Sequence, residues 1–313
     1  MLSKNEQKIH RSTIFRHLDG IGTAPSALIL FKKGILDYLI KNGEASLSDI
    51  TENFEANEGY LNVALRILAS QGWLVQNIEN STDKITFSVL DKTELACKYI
   101  PLYEDAVELI NYYEGLHPKN FGDVPLSKMG KAFSGYQESY GIDQSVKGIE
   151  KEVQQQILKH IEGVLLGPVI VFLGMSGMFH KYFMEANFRP EEFHEEPERF
   201  KKILDMLRYL GWFKEKNGTY QFTDIGLFFA KRASAYGVTV SYLPMFRNIE
   251  ELIFGDPEKI RDTKPGEPEK HVDREMNVWG SGGAYSSYFK VVDEIIIEIF
   301  NQPTTEQPKG VLD

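Results

Sequence analysis

The stretch with the most chemical promise is Trp279-Gly280-Ser281-Gly282-Gly283-Ala284-Tyr285. Its glycines would let backbone come close to a ligand, and Ser281, Tyr285 and Tyr288 would supply hydroxyls. The competing reading is a helix N-terminus that Ser281 merely caps. Just upstream, His271, Asp273 and Arg274 could form a small polar cluster that orders the approach to this segment. Two other groupings carry less. His180 with His194-Glu195-Glu196 fits no standard metal-ligand spacing and reads as an acidic, solvated loop. Gly174-Met175-Ser176-Gly177 is one residue short of a G-x-S-x-G nucleophile elbow and sits in an apolar helix, so it reads as core. No residue is nominated as catalytic, and none as a metal ligand.

The elements that must position these residues come from a chain that repeats itself. VALRILASQGWLVQN (63–77) matches KILDMLRYLGWFKEK (202–216), each an apolar helical face running into Gly-Trp and then a strand. A turn follows each: Asn80-Ser81-Thr82-Asp83 in the first copy, and Asn217-Gly218 in the second. The return strands are KITFSVL (84–90) and TYQFT (219–223), and helices start at Asp91 and Asp224. Upstream, APSALILFKKGILDYLI (24–40) parallels GPVIVFLGMSGMFHKYFM (167–184), and ASLSDITENF (45–54) predicts a short helix capped by Ser46 or Ser48. Helix, short helix, helix and two-stranded wing is the winged-helix arrangement, met twice. Trp73 and Trp212 then pack at the base of each wing.

The domains expected are a first winged-helix-like unit (1–98), a helical and loop connector (99–150), a second such unit (151–236) and a final region (237–313). Within the connector, 102–116 reads as a helix and 117–141 as loop. Residues 238–256 read as one amphipathic helix, breakable at Pro244, and 257–274 as an exposed linker. A helix follows, with Phe289, Val292, Ile296, Ile299 and Phe300 facing a core. Lys309-Gly310-Val311-Leu312-Asp313 then reads as the start of a buried strand.

Bulk properties exclude several classes. A net charge of -10 over 313 residues opposes nucleic-acid binding, which draws its affinity from phosphate neutralisation. The reading helix of the first unit has Arg66 as its only base. In the second unit, Arg199, Lys201, Lys202 and Arg208 are offset by Glu198, Asp205 and the preceding EEFHEEPE. The single cysteine, Cys97, gives no intramolecular disulfide. MLSKNEQKIHRS is no signal peptide. VLLGPVIVFLGM (164–175) is too short to span a bilayer, is broken by Gly-Pro, and reads as a buried helix. A cytoplasmic protein with no membrane or nucleic-acid partner is expected.

The order of winged helix, aromatic-rich connecting helix and V-L-D strand resembles small-molecule S-adenosylmethionine-dependent methyltransferases. In that family, a glycine turn follows the aspartate and approaches the cofactor. GYLNVALRILASQGWL (59–74), LRYLGWF (207–213), SYLPMFRNIEELIFG (241–255) and EKHVDREMNVWGSGGAYSSYF (269–289) resemble methyltransferases of acetyltransferase-like polyketide synthase loading modules, of the saxitoxin, apratoxin and curacin type. The most specific phrases are H-V-D-R-x-x-N-V-x-G-S-G and F-N-Q-P.

The resemblance implies a mainly α chain, with two winged-helix-like repeats leading into the first strand of a truncated Rossmann-type methyltransferase core. It implies a non-catalytic scaffold, lid or dimerisation region of an enzyme that methylates an acyl thioester on an acyl carrier protein. S-adenosylmethionine would be the cofactor of the full-length parent, approached by Ser281, Tyr285 and Tyr288, with Asp313 ending the cofactor strand. Some members also use a metal ion. The chain alone is expected to bind no cofactor and to be inactive, because the glycine-rich motif is absent. The partners implied are the methyltransferase core, the carrier protein and other synthase domains, with a homodimer left open. The alternatives are an adaptor of the synthase without methyl transfer and, less favoured, a transcription regulator.

Overall fold

A computed structural model of the chain describes all residues except 80–82, 118, 120–125, 265 and 311–313. Ser3 opens the first helix, α1 (Lys4–Lys32), by accepting from Glu6 N–H while the Glu6 carboxylate accepts from Ser3 N–H. After α2 (Ile35–Asn42), β1 (Glu44–Ser46) leads into α3 (Leu47–Phe54), whose cap is Ser46. Then come α4 (Glu58–Ser70), β2 (Leu74–Glu79) and β3 (Lys84–Val89). The three strands form an antiparallel sheet in the order β1-β3-β2, with Phe87 opposite both Ala45 and Gln76. Next, α5 (Asp91–Tyr99) and a 3-10 turn at Ile100–Tyr103 lead to α6 (Glu104–Ile110) and α7 (Leu126–Gln137).

The second half begins with α8 (Gly148–Met175), followed by α9 (Lys181–Glu185), α10 (Pro190–Phe193) and α11 (Pro197–Tyr209). The strands β4 (Phe213–Lys216) and β5 (Thr219–Phe222) turn through Asn217 and Gly218, both at positive φ. A lone antiparallel bridge from Phe188 to Tyr220 stands where β1 stands in the first half. The chain then runs through α12 (Asp224–Ala230), α13 (Ser234–Ser241), α14 (Leu243–Arg247), α15 (Ile249–Phe254), α16 (Glu258–Arg261) and the long α17 (Arg274–Phe300).

The two Gly-Trp junctions are the same device. Gly72 and Gly211 take φ of 72° and 81°, a left-handed conformation that glycine adopts without penalty. Trp73 N–H donates back to Leu68 O (3.1 Å) and Trp212 N–H to Leu207 O (2.9 Å), closing each helix. Both indoles are buried. A threonine hydroxyl from the following helix start, Thr93 or Thr223, donates to the tryptophan carbonyl at 2.5 and 3.2 Å. The fold is mainly helical, as expected, with small sheets and a repeated wing.

Several expectations need correction. Residues 126–137 form a helix where loop was expected, because Met129, Ala132 and Phe133 fall on one buried face. The 102–116 helix is split into α6 and flanking 3-10 turns. Residues 238–256 hold parts of three helices, because the chain turns at Tyr242 ahead of Pro244 and again at Asn248. The 257–274 linker contains α16, which buries Ile260. Helix α8 continues through Gly167-Pro168 and is long and apolar enough to cross a membrane, yet its apolar stretch is buried in the fold. The expected core-facing side chains of α17 are exposed, Phe289 by 58% and Ile296 by 38%. At the end of the chain, Lys309 and Gly310 are irregular, and Val311, Leu312 and Asp313 lie outside the described residues. Among the described residues every strand pair is antiparallel.

Candidate functional site

The segment holding the H-V-D-R phrase is the root of α17. Asp273 caps the helix: its N–H donates to Ser241 O (2.8 Å) and its carboxylate accepts from Met276 N–H (3.0 Å). Asn277 Nδ2 donates to Ser241 Oγ (2.9 Å), tying the root to α13 a second time. Arg274 makes two bonds of 2.6 Å to Glu269, a bidentate clamp on the surface. His271 and His117 stand 3.9 Å from Glu269 and Asp273 respectively. Beside this root runs an open groove of about 690 Å³, lined in part by Tyr113, Glu114, Arg247, Lys259 and Glu269. Its charges pair off along the walls, Arg247 with Glu114 (3.2 Å) and Lys259 with Glu251 (2.5 Å).

The glycine-rich stretch is not a loop but the interior of α17. A Cβ on Gly280 would lie 2.6 Å from Val238 N, and one on Gly237 would lie 2.5 Å from Gly280 Cα. The two glycines therefore let α13 and α17 cross at backbone contact. Trp279 lies over Gly174, where a Cβ would meet its ring at 2.6 Å. Ser281 is not the cap, and its Oγ donates back to Val278 O at 3.3 Å. Tyr285 and Tyr288 are 50% and 67% exposed, with ring centres 6.2 Å apart. Asp313 lies outside the described residues.

The other nominated groups have local tasks. His180 accepts from Tyr182 N–H, and His194 accepts from Glu196 N–H. Ser176 closes α8. Among the described residues, no group of three or more His, Cys, Asp or Glu side chains could hold a metal ion.

A second cluster lies where α1 crosses α8. Arg16-His17-Leu18-Asp19-Gly20 and Lys159-His160-Ile161-Glu162-Gly163 occupy equivalent positions, in register with the Pro25/Pro168 and Gly34/Gly177 pairs. A Cβ on Gly20 would sit 2.3 Å from His160 Cα, and one on Gly163 would sit 2.4 Å from His17 O. The crossing is thus pseudo-twofold, each glycine admitting the other helix's histidine. Each imidazole reaches a buried tyrosine: His17 Nδ1 to Tyr236 OH and His160 Nδ1 to Tyr103 OH, both at 2.7 Å.

The symmetry breaks at the acids. Glu162 is buried, and its Oε1 accepts from His17 Nε2 (3.0 Å). Its Oε2 accepts from Lys159 Nζ (2.5 Å) and from Tyr136 OH. Burial opposes ionisation of Glu162, but the bonds and charges of His17 and Lys159 prevail and hold its carboxyl at about 2. Asp19 instead points outward beside Arg16, and His160 Nε2 is left without a partner. Burial pushes the His160 imidazole down to about 3, helped by the charges of Arg16 and His17. Burial also raises the Tyr103 and Tyr236 phenols. The resulting network holds one fixed carboxylate inside the body. Extending the repeat alignment upstream of Ala24 would have revealed it.

Comparison with known families gives three matches in chain order. The AprA N-terminal domain matches residues 10–76, the AprA winged helix domain residues 162–256, and the AprA MT2-like domain residues 269–313. The first runs from within α1 to the start of β2, and the second from the middle of α8 through α15. The third begins at Glu269, the acid of the Arg274 clamp, and covers all of α17. No curated protein matches the chain.

Proposed function

We propose, from the matches to the AprA N-terminal, winged helix and MT2-like domains, that this chain is the N-terminal region of an AprA-type methyltransferase of a polyketide synthase and acts there as a non-catalytic scaffold and lid. The observation that carries this is the position of α17. Its first turns are locked into the doubled helical body by the Gly237–Gly280 crossing and the Asp273 cap, and the whole helix falls within the MT2-like match. The body therefore presents the methyltransferase part at a fixed angle. Its buried histidines and buried carboxylate, His17, His160 and Glu162, are bound up in the helix crossing. That use suits a body that supports chemistry performed elsewhere.

In the complete enzyme the substrate would be an acyl thioester on an acyl carrier protein, and the cofactor S-adenosylmethionine. Ser281, Tyr285, Tyr288 and Asp313 are the residues proposed to approach that cofactor, and the exposure of the two tyrosines suits such contact. The proposed partners are the methyltransferase core, the carrier protein and neighbouring synthase domains, in the cytoplasm. A nucleic acid is not proposed. Helix α15 lies against α4, with Asn57 N–H donating to Ile253 O (2.7 Å), and Arg208 on α11 is neutralised by Asp205 and Glu215.

Calorimetry with S-adenosylmethionine tests the role. The 313-residue chain is expected to give no binding heat, and saturable micromolar binding would show that a cofactor site lies within it.

A further inference from the structure

Past its locked root, α17 carries a run of exposed apolar side chains. Tyr288, Phe289, Val292, Ile295, Ile296 and Ile299 are between 38% and 67% exposed. At 100° per residue they cluster on about a third of the helix circumference, and the rest carries Lys290, Asp293, Glu294 and Glu298 together with the exposed Val291 and Ile297, so the helix is apolar well beyond one stripe. Residues 285–300 extend about 24 Å at the usual rise. A single exposed leucine or isoleucine needs no explanation, but a contiguous apolar stripe of this length marks an interface.

We infer that this face of α17 is the seat of the remainder of the MT2-like domain, which packs onto it as one of its own core helices. The inference rests on the scaffold reading and adds the surface through which it works. One observation selects this occupant over a second copy of the chain. The MT2-like family match covers the helix from end to end, so the apolar stripe is that domain's own sequence. The root is also fixed to α13 and α8 through Gly280 and Trp279, so the stripe is held clear of the body. Because the same helix is embedded in both units, the orientation of one is passed rigidly to the other.

Hydrogen exchange compares the 313-residue chain with a longer polypeptide that carries a whole MT2-like domain. The expected result is at least about tenfold slower exchange across 285–300 in the longer polypeptide. Val292→Asp with Ile296→Asp is expected to abolish that gain, while leaving exchange in α1 and α8 unchanged in both polypeptides. Equal exchange in the two wild-type polypeptides would overturn the inference. So would sedimentation showing a dimer in both that the double variant dissociates, because a second copy would then cover the face. Cofactor calorimetry on the longer polypeptide is read separately. Slowed exchange without cofactor binding would sink the methyltransferase reading and leave the docking face standing.

Discussion

The buried His160 makes a quantitative prediction about acid stability. Its imidazole is fully buried, bonded at Nδ1 only, and held at about 3 against an ordinary value of 6.5. The folded state therefore keeps it neutral at pH values where the unfolded chain binds a proton. Stability contributed by this depressed value is complete above pH 6.5 and is lost progressively as the pH falls towards 3. Each pH unit in that window costs about 1.4 kcal/mol, so going from about pH 7.5 to about pH 5 costs roughly 2 kcal/mol. Glu162 adds nothing over this range. Its folded value of about 2 lies below its ordinary 4.5, so its contribution is lost only as the pH falls below 4.5.

The measurement is urea unfolding of the wild type and His160→Gln at the two pH values. The variant removes the titrating group and keeps a polar side chain against Tyr103. Its stability is expected to be lower at neutral pH, but to fall with acid by roughly 2 kcal/mol less than that of the wild type. His10 and His194, also lowered by burial, add to the slope of both proteins and cancel in the comparison. Identical acid slopes in the two proteins would show that His160 is not buried neutral at the crossing, and the account of that crossing would fail.

Three further outcomes are expected. Glu162→Gln leaves His17 and Lys159 facing a neutral amide, and thermal unfolding at neutral pH should show a loss of roughly 3 kcal/mol that shrinks as the pH falls from 4.5 towards 2. Gly280→Ala should cost about 1–3 kcal/mol by forcing α17 off α13, whereas Gly282→Ala, with nothing within 4 Å of its Cβ, should be neutral or gain up to about 1 kcal/mol by calorimetric melting. Gly174→Phe puts a ring under Trp279 and should shift the tryptophan emission and speed hydrogen exchange at the α17 root and the last turn of α8, while leaving α1 exchange unchanged.

The repeated wings were legible because each depends on a local requirement. Gly72 and Gly211 must take positive φ, and the following tryptophan must be buried, so Gly-Trp recurs where the helix ends. The glycines of α17 were misread for the opposite reason. Gly280 is not there for backbone freedom but for the close approach of Gly237, which lies more than 40 residues away in sequence. No local pattern distinguishes the two uses. Helix α7 was missed because Gly130, Gly135 and two serines dilute an otherwise helical spacing of Met129, Ala132 and Phe133. The helix of α17 was read correctly, but its apolar side chains, expected to face a core, are exposed because neither winged unit packs against them.

The halves of the body are related, yet they are not interchangeable, and the differences fall where α17 attaches. The seat under Trp279 and Gly280 is made by Gly174 and Gly237. In the first half the position equivalent to Gly174 is Phe31. Tyr103, which plays the part of Tyr236, is followed by Glu104 rather than glycine. Glu104 is held by Lys32 at 2.8 Å across the same surface. A bulky ring and an ion pair thus close on one side the groove that two glycines open on the other. The crossing shows the same division, with a buried carboxylate on one histidine and none on its counterpart. The repeat supplies a pseudo-twofold crossing of α1 and α8, and the absence of side chains at Gly174 and Gly237 makes room on one side for α17 to pack.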